Sequence, residues 1–420
     1  MEDGQELGLN PEGPTWAELL GSDNWDNLLD PLNDQLRHLI IRCGDLCQVT
    51  YDTFINDPNS SYCGCSRYGK ADLLRKTAFS GGSDRYDVVG YLYATAKVSV
   101  PEAFLLKSWS REKWDRESNW IGYVAVTNEA ASAVAGRREI YVVWRGTTRN
   151  YEWVDVLGAK LQSAMTLLRD SIHHDIQEGD DDSDNEDDHH HNSPKVMRGW
   201  LTMYTSDDPK SPFTKLSART QLITIIKQLL KKHKHENLSI IFTGHSLGAT
   251  LSVISAFDIV ENLTTEIPVS AIVFGCPKVG NKSFKERFYS HNKLKVLHVK
   301  NTIDLIPHYP PRLMHYVHLG VELEIDTRKS HYLKNSTKTD DLHNLQAMLH
   351  VVNGWHGVHR EFKLVIPRSI ALVNKSCDFL KEECLVPPCW WVEKNKGMVL
   401  NEFGEWVLTR PEKEPTPEFD

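Results

Sequence analysis

The chain has no uninterrupted apolar run near the ~18–20 residues that a membrane span needs, so any membrane contact is expected to be peripheral. Its first basic residue is Arg37. The acidic opening MEDGQELGLN therefore lacks both the basic start of a secretory signal and the arginines of a transit sequence, and a cytoplasmic address is expected. Eight cysteines are present, yet no two have the C-x2-C spacing typical of zinc sites. Without an export signal they read as reduced thiols, and neither a metal nor a cofactor is expected. No internal repeat is visible. Surplus charge is also scarce outside one place: the net charge is −9, but EGDDDSDNEDD at 178–188 holds eight acids and no base. The rest of the chain is close to neutral, which predicts no nucleic-acid partner. The acidic run, followed by His189, His190 and His191, reads as a solvated loop spanning about 175–194.

What remains is ordinary material for a large core: 420 residues, 40% hydrophobic and 25% charged. Residues 1–120 read as an N-terminal helical layer, since PLNDQLRHLIIRCGDLCQVTYDTF places apolar residues at helical spacing; Trp109, Trp114 and Trp120 follow it. Residues 121–385 read as the main core. Ile121–Thr127 and Ile140–Arg145 look like adjoining strands, separated by a small-residue segment ending Gly136-Arg137-Arg138. Further strands are expected at 239–242, 271–275 and 295–300, with room for crossover helices between them, which argues for a mainly parallel α/β sheet. Residues 386–420 read as a hairpin around Lys396-Gly397 or Phe403-Gly404 with a loose polar tail.

Within this frame, GHSLG at 244–248 follows a β-branched run and precedes a helix-compatible one. Five such residues recur by chance, but strand, sharp turn and helix in that order are what a nucleophile elbow requires. Ser246 is the candidate nucleophile, with Gly244, His245 and Gly248 completing the turn. A serine needs a histidine to take its proton and a carboxylate to orient that histidine. Asp304, in NTIDLIP directly after the strand at 295–300, stands where such an acid belongs. Eight histidines follow it: His308, His315, His318, His331, His343, His350, His356 and His359. His343, at the opening of a helical run that begins near Asp341, is the leading candidate, with His308 and His350 next. The oxyanion requires backbone N–H donors; Leu247 at a helix N-terminus supplies one, and the WRGTT turn, where Thr147 adds a hydroxyl, is placed to supply another.

Taken together, GHSLGATLS, VVWRGT, FGCPKVGN, NTIDLIP, DLHNLQAMLH, YCGCSRYGK, TWAELLGSDNWDNLLDPL and the late WWVEKNKGMVL resemble the class 3 lipase family, and within it the plant class II phospholipase A1 enzymes. The resemblance implies a lipase-type α/β-hydrolase that cleaves the sn-1 acyl ester of glycerophospholipids without a metal. It puts the family's nucleophile on Ser246, its acid on Asp304, its histidine on His343 and its oxyanion hydroxyl on Thr147. It also puts the lid of related lipases on Arg149, Asn150, Tyr151 and Trp153, which implies contact with a lipid interface. Met348 stands where the family usually has tyrosine. A neighbouring expectation keeps the chemistry but prefers neutral glycerolipids or galactolipids. The rival from another class is a hydrolase-fold binding or signalling protein without catalysis; such proteins usually lose a triad member or an elbow glycine, and none is missing here.

Overall fold

The computed structural model describes residues 13–57, 60–77, 79, 82–95, 118–148, 159–168, 193–264, 266–391, 398–400, 406–408 and 417–418. Trp109, Trp114, the residues 149–153 and the acidic run at 178–188 lie outside them.

Two helices open the chain. Helix α1 (Trp16–Leu19) starts from a reciprocal cap between Thr15 and Glu18, and α2 (Asp34–Thr53) starts where the Asn33 side chain accepts from the N–H groups of Gln35 and Leu36. Strand β1 (Tyr86–Ala94) follows, then β2 (Asn119–Thr127), the short α3 (Glu129–Ala135) and β3 (Arg138–Trp144). Gly136 ends α3 at φ 67°, so the small-residue segment between the two expected strands is a helical turn with a left-handed cap. A two-stranded ribbon pairs β4 (Leu161–Ser163) with β5 (Lys195–Met197). After α4 (Arg198–Thr205) and α5 (Ala218–Lys232) come the alternations of strand and helix that the sequence pattern predicts. These are β6 (Leu238–His245), α6 (Leu247–Asn262), β7 (Val269–Phe274), α7 (Lys282–Tyr289), β8 (Leu294–Asn301) and β9 (Val321–Ile325). The short α8 (Thr339–Leu342) and α9 (Leu345–Gly354) come next, and β10 (Met398–Leu400) pairs with β11 (Trp406–Leu408). Lys396-Gly397 and Phe403-Gly404, the two expected positions of the late hairpin's turn, lie outside the described residues.

The main sheet has seven strands in the order β1-β2-β3-β6-β7-β8-β9. It is antiparallel from β1 to β3 and parallel from β3 to β9. Residues before 120, read as a helical layer, hold α1 and α2 but also supply β1, an edge strand that the sequence reading did not assign. Its pairing with β2 shifts register between Val88 and Gly90 and again between Leu92 and Tyr93, which blurs the two-residue alternation that reveals a strand.

Both faces of the sheet are covered, so its central strands read as continuous apolar runs. In β3, Ile140, Val142 and Trp144 enter one core with α4, α5, α6 and α7, while Tyr141 and Val143 enter the other with α2 and α9. The second core is locked by a buried cation. Arg37, on α2 and 0% exposed, donates from Nη1 to the carbonyl oxygens of Val352 (2.5 Å) and Trp355 (2.8 Å), and from Nη2 to that of Leu32. At this end of α9 Val352 O otherwise accepts only a long 3.3 Å bond from the Trp355 N–H, so the guanidinium and the helix terminus satisfy each other. α2 is thereby fixed against α9 across the back of the sheet. No described helix is long and apolar enough to cross a membrane.

Candidate active site

The turn between β6 and α6 carries Ser246 at φ 59°, ψ −124°, a conformation that a residue with a Cβ holds only under constraint. The constraint is visible on both sides. The Ser246 N–H donates to Phe274 O on β7 at 3.0 Å, and its own carbonyl accepts from Ala249 N–H at 3.0 Å to start the helix. The flanking glycines allow the crossing: a Cβ on Gly244 would stand 2.2 Å from Gly248 O, and one on Gly248 would stand 2.3 Å from Trp144 O. Leu247 is the first residue of α6, so its N–H has no acceptor within the helix.

The loop after β3 comes against this turn. Arg145 is 1% exposed and holds the loop from inside: its N–H donates to Ile121 O, Nε to Trp120 O and Nη1 to Gly146 O, while the guanidinium lies 3.7 Å from the centre of the Phe54 ring. Burial draws its pKa down to about 10. Gly146 lies so close to its neighbours that a Cβ would come within 2.0 Å of Tyr51 Oη and 2.5 Å of His245 O. Thr147 follows, 3% exposed.

Asp304 lies in the turn after β8, its N–H bonded to Asn301 O. Its Oδ1 accepts from Ile306 N–H at 3.0 Å, and its Oδ2 is 2.5 Å from His343 Nδ1. Among the eight histidines that follow Asp304, His343 is the one hydrogen-bonded to it. His350 instead meets Ser330 Oγ through Nε2 at 2.8 Å, and the His308 ring packs near His318 at 6.2 Å. The single helical run expected from about Asp341 is in fact two helices, and His343 and Asn344 form the break. Asn344 caps α9 by accepting from Ala347 N–H, while Asn301 Nδ2 donates to Leu342 O and ties the break to the end of β8. The His343 ring lies over Gly275, where a Cβ would be 2.5 Å from Cε1. Since Gly275 follows the Phe274 whose carbonyl holds Ser246, the histidine and the serine share one end of the sheet. Met348 is wholly buried in the same corner, its methyl 3.4 Å from that Cβ position.

Three hydroxyls of this turn and loop, Ser246 Oγ, Thr147 Oγ1 and Thr148 Oγ1, are buried with no hydrogen-bond partner among the described residues. A buried polar group left so costs about 1–3 kcal/mol, and it calls for a reason. A neutral His343 that donates its Nδ1–H to the Asp304 carboxylate carries its lone pair on Nε2, the tautomer needed to accept a proton from a hydroxyl. The arrangement is chemically competent for acyl transfer through a serine ester.

Sequence reasoning placed His245 in the turn without its partners and passed over Tyr51. Tyr51 on α2 reaches His245 Nδ1 at 2.8 Å, and His245 Nε2 lies 2.9 Å from the carbonyl oxygen of His343. His245 carried a signal, its place in GHSLG; Tyr51 carried none beyond a helical position. The expected lid residues Arg149, Asn150, Tyr151 and Trp153 fall outside the described residues. Among the described residues no group of three or more His, Cys, Asp or Glu is arranged to hold a metal ion.

Comparison with known proteins identifies relatives of nearly the whole chain. Residues 141–314 match the family described as lipase (class 3). Phospholipase A1-IIdelta of Arabidopsis thaliana is 58% identical, the match covering 96% of this chain and 98% of the relative. Phospholipase A1-II 5 of Oryza sativa subsp. indica is 49% identical, over 96% of this chain and 84% of the relative. Solved structures are more distant: a lipase from Rhizopus microsporus var. chinensis is 16% identical with a TM-score of 0.44, covering 70% of this chain and 75% of the other. With relatives of this identity matched over 96% of this chain, the chain belongs to the phospholipase A1-II group of the class 3 lipases, α/β-hydrolases by fold.

Proposed function

We propose that the protein is a phospholipase A1-type acylhydrolase that cleaves the sn-1 ester of glycerophospholipids such as phosphatidylcholine. Ser246 Oγ attacks the ester carbonyl while His343 Nε2 takes its proton, and the oxyanion is held by the Leu247 N–H with help from the loop of Thr147. His343 then protonates the departing lysophospholipid oxygen. Water repeats the sequence in reverse, its proton passing to His343, and the fatty acid leaves Ser246. Asp304 keeps the imidazole in the useful tautomer throughout. The observation that carries this reading is the buried, unbonded hydroxyl of Ser246 on the elbow, together with the Asp304 and His343 couple. The name borne by relatives at 58% and 49% identity supports the phospholipid substrate and the A1 position. Contact with a lipid surface is supported by the loop after Asp304, where Leu305 is 71% and Leu313 93% exposed.

The test is acyl release from phosphatidylcholine labelled separately at sn-1 and sn-2, with wild type beside Ser246→Ala. Release of the sn-1 label first, lost in the variant, is expected. Undiminished release by Ser246→Ala overturns the nucleophile, early sn-2 label overturns the regiospecificity, and faster turnover of a neutral glycerolipid overturns the substrate.

A further inference from the structure

The hydrogen-bond chain from Tyr51 through His245 to His343 has only one consistent direction. The His343 carbonyl oxygen can only accept, so His245 Nε2, 2.9 Å away, carries the hydrogen. His245 Nδ1 is then a lone pair, and the Tyr51 hydroxyl at 2.8 Å must donate to it. Protonating His245 would turn Nδ1 into a donor, strip the tyrosine of its acceptor, and put a cation in a ring whose centre is 4.5 Å from that of His343. Burial above all, and then the neighbouring His343, keep the His245 imidazole well below the ordinary histidine range, so it stays neutral. The groups facing it are Tyr51 from α2 and His343 from the break between α8 and α9; Cys47 and Arg145 in turn face Tyr51.

Both ends of the chain touch the machinery. Tyr51 Oη lies against Gly146 so closely that a Cβ there would be 2.0 Å away, which props the loop carrying Thr147. At the other end the bond holds the carbonyl of His343, which lies in the break between α8 and α9 and whose own N–H donates to Thr339 O at 2.8 Å. α2 comes from the opposite side of the chain's core sequence, yet through one hydroxyl it bears on both the oxyanion loop and the base.

We propose that Tyr51 and His245 are positioning residues of the reaction: their hydrogen-bond relay fixes the backbone of His343 relative to the oxyanion loop while the imidazole takes up and returns its proton. This rests on the reading of His343 as general base. Neither residue touches the substrate; both act through His343 and Gly146.

The test uses the full chain with a short-chain phosphatidylcholine kept monomeric, so that kcat and KM are separable, and follows melting temperature in parallel. The variants are Tyr51→Phe, His245→Phe, their double variant, His245→Gln and, as reference, Ser246→Ala. Expected are kcat losses of about 10- to 100-fold in each phenylalanine variant at nearly constant KM, the cost of a slightly misplaced base. The double variant should be no slower than His245→Phe, because either change breaks the same relay. His245→Gln, whose amide offers one acceptor and one donor without charge, should recover most of the rate. Wild-type kcat in Tyr51→Phe overturns the proposal, as do losses that multiply in the double variant, or a Gln variant as slow as Phe. Tyr51→Phe removes a single oxygen, so it keeps the question open to refutation even where His245→Phe fails to fold. An inactive Ser246→Ala with an unaffected Tyr51→Phe refutes the relay alone, whereas an active Ser246→Ala removes the reaction scheme beneath it.

Discussion

Asp304 Oδ2 and His343 Nδ1 stand 2.5 Å apart with both side chains 0% exposed, and the carboxylate's second oxygen is held by the Ile306 N–H. The acid is therefore fixed at both ends and cannot turn away from the ring. Asp304→Asn keeps the shape but offers an amide where the carboxylate was, which favours the tautomer with the proton on Nε2. The expected result is a fall in kcat of about 10⁴-fold with little change in melting temperature. Steady-state kinetics beside a thermal melt checks it, and a loss confined to KM would count against the assignment.

Thr147→Val separates stability from catalysis. The Thr147 hydroxyl is buried and makes no hydrogen bond among the described residues, so replacing it by a methyl removes an unpaid desolvation. The melting temperature should hold or rise. If the hydroxyl helps bind the oxyanion, kcat should nevertheless drop about 10²- to 10³-fold at constant KM. A variant that loses stability and keeps its rate would contradict both halves.

Gly248→Ala should be far worse than its size suggests. The added methyl would lie 2.3 Å from Trp144 O, a backbone atom at the end of β3 that cannot rotate away. Overpacking of this kind costs typically about 1–3 kcal/mol, and here the displacement falls on the elbow itself. A lowered denaturation midpoint together with activity lost beyond the unfolded fraction is expected; an alanine variant of normal stability would show the turn to be looser than the geometry states.

Acid should unfold this protein from near neutrality downward. Burial depresses four histidines: His245 well below the usual value, His298 to about 3, His350 to about 4, and His318 below its ordinary value. Below the ordinary histidine pKa of ~6.5 the unfolded chain takes up protons that the folded chain refuses, so each group withdraws up to about 1.4 kcal/mol per pH unit. The loss continues until the folded group itself protonates, near pH 4 for His350 and near pH 3 for His298. Melting curves between pH 7.5 and 4.5 should shift steadily downward, and His350→Gln should make that slope shallower. A flat melting temperature over the range would refute the assignment.

Where local pattern and local structure coincide, the chain was legible. The apolar run before GHSLG is β6, the small residues after it are α6, and NTIDLIP does follow the end of β8. β1 was missed because Gly90 and two register shifts interrupt its alternation. His343 could not be singled out from the residues alone, since its environment is a break between helices and its partner is 39 positions away. Tyr51 was the least visible: an aromatic in the last turn of an amphipathic helix looks like any core residue, and only the tertiary fold brings its hydroxyl to His245.

Because α2 and α9 close the second face of the sheet, the chemistry is not transplantable in pieces. The stretch 141–314 that matches the lipase family holds Ser246 and Asp304, but Tyr51 lies before it and His343 after it. A fragment trimmed to that stretch would own the proposed nucleophile without the proposed base and would bare the apolar flank of β3, β6 and β7 to water. Recombination, domain grafting or a truncated expression product thus meets an indivisible unit, whose smallest heritable version runs from the first long helix to the last one.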